Sequence, residues 1–172
     1  MICEYFQKYC NYYLSRYSVS KKKFEHVLKQ KIFKDYYNNK FSKEKYDQYI
    51  KKINDVSSYY KNLGFFDEEN LISMKIDTYI RKGFSLKKIS LNLNKEFFSE
   101  KLISIKISEI KQLNNIHEKL IENFLKRKKN IFNPKDSNQT KKEYFDKILK
   151  KLLQQGFDYQ KCFEFLKKKI NT

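Results

Sequence analysis

Only three glycines occur in 172 residues, and each stands in the same short phrase: Gly64-Phe65-Phe66-Asp67, Gly83-Phe84-Ser85 and Gly156-Phe157-Asp158. Glycine enters the left-handed backbone region at little cost, so it closes helices, and the residue after it packs back on the last turn. Asp67, Ser85 and Asp158 then offer a side-chain oxygen to the bare N–H groups of a following helix. Each phrase therefore ends one helix and starts another. The chain should be built from short helices joined by tight corners, with Gly64, Asp67, Gly83, Ser85, Gly156 and Asp158 as the structural corner residues.

The spacing around these corners repeats. Phe24-x3-Leu28-x4-Phe33 matches Ile89-x3-Leu93-x4-Phe98, and both match Ile148-x3-Leu152-x4-Phe157. The first two positions of each share one helix face, and the last falls beyond a corner. Ser20-x-x-Lys23 and Ser85-x-x-Lys88 supply helix starts, and Thr140-x-x-Glu143 is a capping box. Second starts follow at Phe41-Ser42, Phe98-Ser99 and Phe157-Asp158, and leading helices are predicted over 4–17, 68–82 and 116–129. The pattern predicts an all-α chain of three tandem three-helix repeats: 1–62, with a polar insertion at 34–41, then 63–113 and 114–172. The longest break, Asn130 to Thr140, contains the one proline, Pro134. No alternating β-branched stretch supports a sheet. Repeats that touch only their neighbours give an elongated, curved molecule.

No apolar run approaches the ~18 residues of a membrane span, and residues 1–10 lack the basic-then-apolar layout of a signal peptide. Cys3, Cys10 and Cys162 form no C-x-x-C pair, which fits a reducing compartment. A cytoplasmic protein without membrane association is expected. The formal net charge is +18, almost all of it from Lys, with Arg only at 16, 81 and 127. That excess attracts nucleic acid or an acidic protein surface. A coding bias toward Lys, Asn, Ile, Tyr and Phe predicts the same excess.

Catalytic constellations are missing from the pattern. His26 and His117 belong to no H-E-x-x-H or Cys/His set, and the glycines are too scattered for a phosphate-cradling loop. Asp67, Glu68 and Glu69 are accounted for by capping and the helix dipole without a metal. No enzyme, cofactor or metal site is expected. The candidate binding residues are basic: Lys21, Lys22 and Lys23, which oppose the dipole at a helix start, and Arg81, Lys82, Lys87 and Lys88, which bracket Gly83. Lys126 to Lys129 end a helix, where cations are locally favourable and need no ligand. Tyr36, Tyr37, Tyr59 and Tyr60 read either as stacking platforms for bases or as core rings.

The run Leu63-Gly64-Phe65-Phe66-Asp67-Glu68-Glu69-Asn70-Leu71, followed by Ile80-Arg81-Lys82-Gly83-Phe84-Ser85-Leu86-Lys87-Lys88-Ile89 and Leu93, resembles the RecX family of bacterial recombination regulators. Leu152 to Tyr159 resembles that family's closing corner, and Tyr13 to Ser20 its opening one. The resemblance covers about residues 9–170, with the units in the same order. The chain departs from it at Ile32 and Phe97, where glycine is usual, at Ile72 and Tyr79, and in using Lys for nearly every Arg. A bidentate Arg contact does not transfer to Lys. The resemblance implies a monomeric, non-enzymatic regulator that binds the RecA recombinase or the RecA–single-stranded DNA filament, inhibits recombination and ATP turnover, and so acts on DNA repair and the SOS response, with weak direct DNA binding. The alternative is a general basic protein for single-stranded or duplex nucleic acid.

Overall fold

The computed structural model describes residues 2–128 and 141–170. Among them the chain is all-helical: α1 (Glu4–Leu14), α2 (Lys21–Tyr37), α3 (Lys43–Asn62), α4 (Glu68–Arg81), α5 (Leu86–Lys95), α6 (Glu100–Lys111), α7 (Ile116–Arg127), α8 (Lys141–Gln154) and α9 (Tyr159–Ile170). None of these is long and apolar enough to cross a membrane. The Thr140 cap, Pro134 and Lys129 lie outside the described residues.

Helix ends are set by backbone conformation. The three glycines have φ of +83°, +65° and +82° at 64, 83 and 156. At each, the next N–H donates to the carbonyl five residues back: Phe65 to Tyr60, Phe84 to Tyr79, Phe157 to Leu152. The first two rings also pack on the side chain whose carbonyl they bond, Phe65 on Tyr60 and Phe84 on Tyr79. Asp67, Ser85 and Asp158 then accept the N–H of the third residue onward, Asn70, Lys88 and Lys161, at 3.1, 3.2 and 3.0 Å. Three further corners use left-handed residues that are not glycine: Asn39, Phe97 and Asn115. Asparagine tolerates that conformation, but for phenylalanine it costs about 1–2 kcal/mol. The Phe97 ring offsets part of this by packing against His26 at 5.3 Å and under the Lys23 ammonium at 5.5 Å.

The first unit departs from the expected register. Lys34 to Tyr37, expected in a loop, continue α2, and the turn comes only at Asn38–Asn39. Phe33 is therefore mid-helix and 58% exposed, whereas Phe98 and Phe157 are buried. Ile32 is fully buried in its place. A β-branched residue resists the left-handed region, so the helix runs on until the chain reaches asparagine. α1 is also shorter than expected. The Ser15 hydroxyl donates to the Tyr12 carbonyl at 3.0 Å, and such local bonding competes with helix continuation.

The chain divides into two compact units, one of Met1–Ile72 with Lys95–Ser99, the other of Ser73–Asn94 with Glu100–Thr172. The first is cored by Phe6, Cys10, Phe24, Leu28, Ile32, Ile53, Val56 and Tyr60, with Phe66 closing over Phe24 at 5.2 Å. The second is cored by Leu120, Ile121, Phe124, Ile148, Leu152, Phe157, Cys162 and Leu166. Rings fill much of the first core, which suits helices too short to present long aliphatic faces.

Each unit contains the same seam. In the first, the buried Ser20 hydroxyl donates to the Glu96 carbonyl at 2.7 Å while accepting the Lys23 N–H at 3.1 Å. In the second, the buried Ser85 hydroxyl donates to the Gln155 carbonyl at 2.7 Å while accepting the Lys88 N–H at 3.2 Å. Each acceptor precedes a left-handed residue, Phe97 or Gly156. One hydroxyl thus caps a helix start and ties it to a helix end 76 or 70 residues onward. Removing it would take one hydrogen bond from each of two part-buried partners, at about 0.5–1.5 kcal/mol per bond.

Candidate functional site

The α4–α5 corner of the second unit is built by close approach. A Cβ on Gly83 would stand 2.1 Å from the Phe124 backbone nitrogen, so only glycine lets this corner lie against α7. Side chains from α7 then cap the end of α4. Asn123 donates to the Ile80 carbonyl at 2.9 Å, and the Arg127 guanidinium donates to the Lys82 carbonyl at 3.2 Å. On the other side, the Lys88 ammonium donates to the Gln155 side-chain carbonyl at 2.5 Å, holding the start of α5 to the end of α8.

These contacts frame a cleft of ≈ 550 Å³ lined by Lys82, Phe84, Lys88, Phe124, Arg127, Lys128, Lys151, Gln154 and Gln155. Five cations and no carboxylate line it among the described residues. Among the described residues none of the five is in an ion pair. The carboxyl ends of α4, α7 and α8 also face this region, each contributing about half a negative charge. Three such ends offset fewer than two of the five cations. The cleft is strongly positive.

The other concave regions differ in charge. A pocket of ≈ 340 Å³ in the same unit mixes Lys111 and Lys161 with Glu118 and Glu164. A groove of ≈ 690 Å³ in the first unit holds Lys8, Lys31 and Lys40, but Glu4 pairs with the first and Asp35 bridges the other two, so only one positive charge is left over.

The structure places the sequence-derived candidates unevenly. Lys82 and Lys88 line the cleft. Arg81 and Lys87 are exposed outside it; Arg81 donates to Thr78, and the Lys87 stem lies beside Gly156. In the first unit, Lys21 is engaged by Ser58 and Glu25, Lys23 lies over Phe97, and Lys22 is exposed. Arg127 and Lys128 belong to the run Lys126 to Lys129 that the sequence explains as helix-end cations needing no ligand, and Lys151 carries no distinguishing signal there. Their visible signal was cations at helix ends, which the dipole explains equally well.

Other reactive groups are occupied or buried. Glu68 accepts the Ser99 N–H at 2.6 Å, and no metal-holding cluster occurs among the described residues. Burial pushes the Cys10 thiol up to about 12 and the Cys162 thiol up to about 11, so both stay protonated at neutral pH. Tyr60 is buried and donates to Asn11 at 2.7 Å, while Tyr37 and Tyr59 are exposed.

The geometry thus defines a class: a protein whose described residues are all-helical and form a cationic cleft with no counter-charge among them. Compared with known proteins, the chain matches no family model, no curated protein and no solved structure.

Proposed function

We propose that this protein is a cytoplasmic, monomeric, non-enzymatic regulator that binds the RecA recombinase or its filament on single-stranded DNA and inhibits recombination and ATP turnover, acting on DNA repair and the SOS response. The observation that carries this reading is the seam. Ser20–Glu96 and Ser85–Gln155 recur in the order in which the RecX-like corners occur along the sequence. That recurrence supports three tandem three-helix repeats, and repeats in a row suit a long, repeating partner such as a filament. Added to RecA on single-stranded DNA, the purified protein should slow ATP hydrolysis at amounts well below one per RecA subunit. A flat response over a broad titration would sink the reading.

The arrangement proposed with it is elongated and curved. A compact globule of this length would have a radius of gyration of about 16 Å. Small-angle scattering should give a clearly larger value, and a value at the compact limit would count against the row of repeats.

A second reading is favoured by one observation, the uncompensated cleft: a basic protein that binds nucleic acid directly. The two differ in what RecA does. If the second holds alone, the protein retards naked DNA but alters RecA only by competing for the strand, in proportion to the strand covered.

A further inference from the structure

We propose that the cleft at the α4–α5 corner grips the sugar–phosphate backbone of one nucleic-acid strand by charge alone, without reading or stacking its bases. This rests on the second reading above and goes beyond it by naming the site and what it recognises.

The charge argument comes first. Lys82, Lys88, Arg127, Lys128 and Lys151 converge on one concavity with no carboxylate in its wall among the described residues. Lys128 and Lys151 have neither an ion pair nor a hydrogen bond among the described residues, so their ammonium groups are open to a ligand.

The rings in the wall are already used. Phe84 is stacked on Tyr79, with centroids 5.4 Å apart and planes 13° from parallel, and the Lys88 ammonium lies 4.5 Å over the Phe84 ring. Phe124 is buried. A base finds no free face here, so the stacking that usually anchors single strands is absent from this cleft.

Two features choose the occupant. A nucleic-acid strand carries a phosphate on every nucleotide and releases condensed counterions when Lys and Arg neutralise it. Five cations gathered in one concavity match such a line of charges. An acidic protein segment, with its carboxylates spaced by other side chains, is the sparser match. A concavity of ≈ 550 Å³ is also within the size range that encloses a ligand. One strand can enter it, while a duplex can only ride across its mouth.

The test is fluorescence anisotropy on the full chain with a labelled oligothymidylate. The other probes are an abasic deoxyribose–phosphate strand of equal length, a matched duplex and a polyglutamate peptide. Contacts to three phosphates predict a log–log salt slope of about −2, so a fourfold rise in salt should weaken single-strand binding about 20-fold. The abasic strand should bind as tightly as oligothymidylate, and duplex and peptide more weakly. Lys128→Ala combined with Lys151→Ala, which breaks no side-chain hydrogen bond or ion pair among the described residues, should weaken both strands alike and flatten the slope by about 1 or more.

Preference for the base-bearing strand would overturn charge-only recognition, and preference for polyglutamate would make the occupant a protein. Unchanged binding by the double variant would remove the cleft while leaving nucleic-acid binding standing. No binding of any strand would remove both.

Discussion

Replacing Gly83 with alanine should cost about 2–5 kcal/mol, among the most damaging single-methyl changes available to this chain. Two terms add. The backbone at 83 has φ +65°, where a Cβ costs about 1–2 kcal/mol. The new methyl would also meet the Phe124 nitrogen at 2.1 Å, its Cα at 2.5 Å and the Asn123 carbonyl carbon at 2.6 Å. All three are backbone atoms of α7, which can give way only if the helix moves, and overpacking of that kind costs about 1–3 kcal/mol or more. Gly64→Ala is the control. Its φ is +83°, but nothing lies within 4 Å of the added methyl, so only the conformational term applies. Thermal melts should place Gly83→Ala roughly 10 °C below the parent and Gly64→Ala a few degrees below, at about 2–4 °C per kcal/mol. Equal melting temperatures for the two would mean that α7 does not press on the corner.

That contrast marks the limit of what sequence reveals. The Gly-Phe-acid phrase was readable because each of its residues has a local job: left-handed backbone, ring on the last turn, oxygen on the next N–H. Local jobs leave residue types behind. The corners at Asn39, Phe97 and Asn115 left a fainter mark, since a left-handed Phe97 is explained by a ring contact with His26, far away in sequence. The Phe33 register went astray for a related reason. One apolar pair, Ile32-Phe33, offers two residues for one buried site, and helix continuation chose Ile32.

The seams were half legible. Ser20 and Ser85 read correctly as helix starts, but their second partner is a backbone carbonyl, which every residue has and which therefore carries no signature. The cleft was less legible still. Lys82 and Lys88 drew notice because they flank a glycine, whereas Arg127, Lys128 and Lys151 look like ordinary helix-end cations. What sets them apart is the lack, among the described residues, of any carboxylate in the place to which three separate helices bring them. Such an absence appears only in three dimensions.

The first unit offers the second large effect, at Asp35. This residue is 3% exposed, yet it lies in the stretch 34–41 whose polarity read as loop. Its carboxylate is met by the Lys31 ammonium at 2.7 Å, the Lys40 ammonium at 3.0 Å and the Tyr5 hydroxyl at 3.0 Å. It thereby fastens α1 to the end of α2. Burial by itself pushes the carboxyl up, but the hydrogen bonds from Lys31, Lys40 and Tyr5 outweigh it and hold the group below its ordinary value. A carboxyl whose folded value is depressed contributes stability above its unfolded pKa of about 3.9, and loses it as pH falls through the folded value. Asp35→Asn keeps the shape but surrenders the charge, leaving Lys31 and Tyr5 facing a neutral amide. Lys40 is more than half exposed, so water screens its share and little is lost there. Denaturant unfolding at pH 7 should show a loss of about 2 kcal/mol, near the value for hydrogen bonds to a charged group. Repeated at descending pH, the gap between parent and variant should hold down to about 4 and close below it, because the parent's carboxyl then gains its proton and its advantage goes with it. A gap of constant size down to pH 3 would mean that the network contributes through packing alone, and that the charge on Asp35 does not hold α1 in place.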